Sequence, residues 1–187
     1  MFQIIFSSFA LVAASEMGDK TQLLAFSLAA RFKRPWPVLA GIFVATLLNH
    51  ALASTLGSFI ASQVSPRAMD IALAVLFIVF GVWTLKPDTL DEDEKKGKFG
   101  PFLTTVILFF LAEMGDKTQF ATIALAAEFR SPILVTVGTT LGMMVTDGLA
   151  VFLGDRFAHK VQMHWIRYFA ASLFLIFGIY SAYRAFS

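Results

Sequence analysis

The sequence predicts an all-α membrane protein of six transmembrane helices, arranged as two inverted three-helix repeats. Three observations predict it. Apolar residues make up 57% of the 187-residue chain and are spread along its whole length, whereas a soluble domain holds about 45–50%. The heptapeptide Glu16-Met17-Gly18-Asp19-Lys20-Thr21-Gln22 recurs letter for letter as Glu113-Met114-Gly115-Asp116-Lys117-Thr118-Gln119, a shift of 97 residues. Each copy of the repeated unit resolves into three apolar segments, an odd number, so the second copy enters the membrane from the opposite side.

The same shift aligns the rest of the chain without a gap. Ala29-Ala30 falls on Ala126-Ala127, Phe32 on Phe129, Pro35 on Pro132, Gly41 on Gly138, Gly57 on Gly154, and Phe80-Gly81 on Phe177-Gly178. The units are residues 1–86 and 100–187, joined by a polar stretch over 87–99. In the first unit the apolar segments run over about 2–31, 37–62 and 67–86, and in the second over about 101–130, 133–155 and 165–184. About 20 residues span a bilayer. The first segment of each unit is near 30, so it must tilt, project or break, and Gly18 and Gly115 lie where a break is easiest. Basic residues and prolines (Arg31 to Pro35, and Arg130 with Pro132) punctuate the segment ends. The opening run resembles a secretory leader, but it lacks a basic start, and its repeat equivalent, Pro101 to Ala112, sits in mid-chain. It reads as a span.

Composition narrows the function. With no cysteine, there are no disulfides, thiolate metal sites or cysteine nucleophiles. A net charge of +2 carries no nucleic-acid signature, and 21 phenylalanines suit a lipid-facing surface. The expected partner is the lipid bilayer, around a monomer or homodimer. Six spans place Arg31, Lys33, Arg34, Lys86, Lys95, Lys96, Lys98, Arg156, Lys160 and Arg167 on one side, against Arg67, Arg130 and Arg184 on the other. The richer side is cytoplasmic by the positive-inside rule. Both termini then lie outside a multi-pass cell-membrane protein. The charged stretch from Lys86 to Lys98 reads as a solvated cytoplasmic linker, with metal sensing by its acids as the alternative.

Glu16, Asp19 and Lys20 fall near the centre of the first span, and Glu113, Asp116 and Lys117 near the centre of the fourth. An unpaired charge there costs about 2.5–3.5 kcal/mol, so six would cost on the order of 15–20 kcal/mol, more than a small domain's stability margin. They must be paired, hydrated or ligand-bound. Pairing within a helix, Glu16 with Lys20 and Glu113 with Lys117 at i, i+4, leaves Asp19 and Asp116 unexplained. Glu16, Asp19 and Gln22 are spaced i, i+3, i+6, which places three oxygen-bearing side chains along one helical stripe; Glu113, Asp116 and Gln119 are their repeat equivalents. Four carboxylates and two lysines sum to −2, which one divalent cation neutralises. Oxygen donors suit magnesium, calcium or manganese. Met17 and Met114 offer a thioether that favours manganese over calcium, with gap-filling as the plainer reading. Asn49 and His50 lie mid-span in one unit, and Asp147 takes the place of His50 in the other. His50 is a candidate proton carrier, the alternative being a histidine hydrogen-bonded between helices. Thr46, Ser54, Thr55 and Thr146 read as packing hydroxyls, and Gly41, Gly57, Gly138, Gly142 and Gly154 as close helix contacts.

The duplicated E-M-G-D-K-T-Q on the first segment of each unit resembles the E-x-G-D-[KR]-[ST] signature of the GDT-type family, which includes Golgi manganese/calcium transporters and bacterial manganese exporters. The resemblance covers essentially the whole chain. It implies a secondary transporter exchanging a divalent cation for protons. The motif acids carry over onto Glu16, Asp19, Glu113 and Asp116, and the polar positions after them onto Lys20, Thr21, Lys117 and Thr118; His50 and Asp147 come from position alone. The expectation is an exporter of manganese(II) from the cytoplasm, coupled to protons, in which one repeat rocks against the other. It has no cofactor besides the transported ion. A calcium/proton antiporter of the same architecture and a passive divalent-cation channel are the alternatives. An intramembrane enzyme using Asp19 and Asp116 as a shared-proton dyad is remote, because two identical motifs with a Glu and a Lys each exceed what such a dyad needs.

Overall fold

The computed structural model describes residues 1–86, 99–153 and 163–187. These form eight helices and no strand: α1 (Phe2–Glu16), α2 (Lys20–Phe32), α3 (Pro35–Gln63), α4 (Pro66–Thr84), α5 (Pro101–Glu113), α6 (Lys117–Phe129), α7 (Pro132–Leu153) and α8 (Met163–Phe186). Four helices begin on a proline, whose fixed φ and missing N–H suit a first turn. α2 and α6 end alike, on Lys33 and Arg130 in the left-handed region with φ of 52° and 49°, each donating its N–H to the carbonyl four residues back at 2.9 Å.

The long first segment of each unit is broken. α1 stops at Glu16 and α2 starts at Lys20; α5 stops at Glu113 and α6 starts at Lys117. The motif builds the break from its own letters. Gly18 and Gly115 take φ of 82° and 75°, a region open to glycine at little cost. Asp19 and Asp116 follow in extended conformation as N-caps, a position that favours aspartate. The side-chain carbonyls of Gln22 and Gln119 accept from the N–H of Gly18 and Gly115, each at 2.8 Å. The single helical stripe expected for Glu16, Asp19 and Gln22 therefore does not form, nor does the i, i+4 pairing of Glu16 with Lys20, because the helix that both presuppose ends between them.

α1 and α2 do not fold back on each other; both lie along α7, as α5 and α6 both lie along α3. Each broken segment thus runs beside an unbroken helix of the other half. These contacts are tight enough to need glycine. A β-carbon at Gly138 would sit 2.5 Å from the carbonyl oxygen of Ile5, and one at Gly57 would collide with that of Ile123. Gly41 and Gly142 stand in similar contacts with α5 and α1, while Gly154 lies outside the described residues. Ser54 and Thr136 hydrogen-bond between α3 and α7 at 2.6 Å, whereas Thr55 and Thr146 turn their hydroxyls back to carbonyls of their own helices.

α4 pairs with α8 along their lengths, with Phe77, Phe80 and Phe174 at the centre of one apolar core. Leu24, Leu28, Ile42 and Phe109 centre a second. The opposite faces stay apolar yet exposed, as at Leu52, Val82, Ile176 and Ile179, the pattern of a surface solvated by lipid. α3, α4, α7 and residues 168–186 of α8 are long and apolar enough to cross a membrane; α1 and α5 are shorter apolar helices. The acidic stretch expected to be a cytoplasmic linker lies outside the described residues apart from Phe99, as do Arg156 and Lys160.

Candidate cation site

The two breaks meet in the interior. Glu16 closes α1, Asp19 caps α2, Asp116 caps α6 and Lys117 opens α6. One oxygen from each of Glu16, Asp19 and Asp116 lies within 4.8 Å of the other two, and all three residues are buried. Oxygens sharing one cation at 2.0–2.6 Å stand at most about 4–5 Å apart, so these three fit a single hard divalent ion. The donors come from both halves of the chain.

Glu16 is held from two sides. One oxygen accepts from Thr21 Oγ1 at 2.7 Å, and the other accepts from Thr118 Oγ1, on the opposite half. Asp19 accepts from the Lys20 backbone N–H at 2.7 Å through one oxygen and meets Lys117 Nζ at 2.8 Å through the other. Gln22 spends its carbonyl on Gly18 and its amide on the carbonyl of Thr146 at 3.0 Å. It positions the break with both ends of its side chain; Gln119 is likewise engaged with Gly115. Met17 is half-buried beside a groove between α1 and α8, and Met114 is exposed.

Glu113 does not join the three-oxygen cluster. It is fully buried, and neither of its oxygens has a hydrogen-bond partner among the described residues. It lies within electrostatic reach of Glu16, Asp19, Asp116 and Asp147. Asp147 is also fully buried, without a hydrogen-bond partner among the described residues, and within reach of Glu16. His50 is buried, and neither ring nitrogen has a partner among the described residues; Asn49 donates its amide to the carbonyl of Phe110 at 3.1 Å. That carbonyl lies on α5 one turn before Glu113, so Asn49 stands beside the second break.

A second charged group was not singled out from sequence. Arg184 of α8 bridges Asp70 of α4 and Glu128 of α6. The available signal was the same one that exposed the motif, an acid inside an otherwise apolar segment.

The profile of a family described as "Divalent cation/proton antiporter GDT1" matches residues 4–92 and 101–187. A Vibrio cholerae protein named "Putative manganese exporter" is 42% identical over 184 residues, covering 98% of this chain and 92% of its own length. The "GDT1-like protein 3" of Oryza sativa subsp. indica is 33% identical, over 97% of this chain and 74% of its own. Its Arabidopsis thaliana namesake is 30% identical, over 97% and 71%. No solved structure matches the chain. A duplicated acidic motif whose two copies bring three carboxylates within 4.8 Å of one another, in a bundle of apolar helices, accords with these relatives: the chain belongs to the GDT1 family of divalent cation/proton antiporters, transporters and not enzymes.

Proposed function

We propose that the chain exports manganese(II) across the cell membrane in exchange for protons, through one site shared by the two motifs. The observation that carries this reading is the cluster of Glu16, Asp19 and Asp116, drawn from both halves and buried where an uncompensated charge is costly. Metal and protons compete for the same oxygens, which is the simplest basis for exchange. Met17 and Met114 are the candidate soft ligands, Gln22 and Gln119 hold the breaks, and Glu113 and Asp147 supply further carboxyl groups. Asn49, hydrogen-bonded one turn before Glu113, and the buried His50 next to it in sequence are the candidate polar support for proton movement.

In this reading the chain crosses the membrane six times. α1 with α2, and α5 with α6, each make one broken span, and the halves are inverted, as in transporters whose broken helices meet near the midplane. The basic residues place residues 87–99 in the cytoplasm and both termini outside. Calcium is the second reading, because the core donors are hard oxygens that serve either ion.

Flux into proteoliposomes, compared for manganese, calcium and magnesium, tests the substrate. Saturable manganese uptake that exceeds calcium uptake at equal concentration is expected. Preference for calcium would replace manganese as the substrate, and non-saturating flux of all three would make the protein a channel.

A further inference from the structure

The two motifs are identical in sequence, yet their lysines are used differently. Lys117 is buried at 3% exposure, and its Nζ stands 2.8 Å from Asp19 Oδ2, an oxygen of the opposite half. Lys20 is only half-buried, and its side chain makes no ion pair with a described residue. The ammonium of Lys117 therefore sits among the carboxylates that the proposed site would present to a cation. A divalent ion held by Asp19 at about 2.0–2.6 Å would lie within a few ångströms of that ammonium. Two positive centres so close in a buried site repel strongly, so both cannot keep these positions.

We propose that Lys117 is a tethered surrogate cation: its ammonium neutralises Asp19 when no metal is bound, and an arriving divalent ion displaces it. The inference rests on the cation-site reading above and adds a role for a residue that is not itself a ligand. Metal binding must break the Lys117–Asp19 contact, which lowers affinity, and re-forming that contact helps expel the metal. A carrier needs both, because an ion held too tightly is not released. The contact also joins α6 of one half to the break of the other, so exchanging ammonium for metal changes how the two halves are tied.

The test is manganese binding to the purified full chain in nanodiscs, by calorimetry, together with flux in proteoliposomes. Lys117→Gln is expected to bind manganese about tenfold more tightly, the effect of removing one opposing charge, with a lower KM and a lower turnover. Lys117→Arg, which keeps the charge, should keep the weaker affinity. Equal or weaker binding by Lys117→Gln overturns the proposal, since a mere strut would give that result. If Lys117→Gln is unstable without metal, manganese should raise its melting temperature more than it raises that of the unsubstituted chain; a variant that stays unfolded in saturating manganese also overturns it. Asp19→Asn and Asp116→Asn separate the two readings. Undiminished manganese binding in both would show that the carboxylate site itself is misplaced, whatever Lys117 does.

Discussion

Glu16 and Glu113 are the same letter of the same motif in different surroundings. Glu16 accepts from the threonines of both motifs, while Glu113 is buried without a hydrogen-bond partner among the described residues. The cost of charge in an apolar segment makes both glutamates, and Asp19 and Asp116, legible from the amino acids alone. That Thr118 and Lys117 reach across to the first half was not legible, because a repeat says which residues are equivalent and not which ones touch. The methionines are open to direct measurement. Replacing both Met17 and Met114 by Leu is expected to weaken manganese binding several-fold more than calcium binding, since the softer ion alone gains from a thioether. Leu nearly conserves volume, so packing should cost under about 1.5 kcal/mol. An equal loss for both metals would assign these side chains to packing.

At the scale of elements, the breaks in the first and fourth segments were foreseeable from their length and from Gly18 and Gly115. How the break is stabilised was not. The periodicity that put Glu16, Asp19 and Gln22 on one stripe assumes a continuous helix, and Gln22 and Gln119 work against it by satisfying the N–H of the glycine at each break. Gly115 isolates the backbone contribution, because a β-carbon there would meet no atom within 4 Å. Gly115→Ala should therefore cost strain alone, about 1–2 kcal/mol for a residue forced to positive φ, read as a fall of a few degrees in melting temperature. No change would mean that the backbone at 115 relaxes away from its φ of 75°.

Across the whole molecule the halves are alike in elements but not in contacts. α4 packs against α6, and α8 packs against α1, whereas the repeat-equivalent pairs, α8 with α2 and α4 with α5, do not pack closely. Arg184 reinforces the α4–α6 side by joining Asp70 and Glu128. Its repeat equivalent is position 87, a proline, and the equivalent of Glu128 is Arg31, so this link has no copy in the other half. Arg184→Gln would leave two nearby acids without their cation. A stability loss on the order of 1–3 kcal/mol is expected, between the exposed and buried limits for ion pairs, and a thermal melt in detergent or nanodiscs measures it. An unchanged melt would show that Arg184 serves only the surface.

Orientation belongs to the same scale. The chain has no cysteine, so a single introduced thiol reports without background. Lys96→Cys should resist impermeant reagents in intact cells, and Ser187→Cys should react. The reverse pattern would invert the topology inferred from the basic residues.

The central claim is that one cation site, built from both motifs, exchanges a divalent ion for protons. It is tested most directly in proteoliposomes carrying an internal pH dye, with manganese supplied outside, for the unsubstituted chain and for Asp19→Asn and Asp116→Asn. Manganese uptake should alkalinise the lumen as protons leave, slow as the external pH is lowered, and vanish in each variant while the protein remains folded. Manganese uptake without proton counter-movement, or full uptake in either folded variant, would contradict the claim.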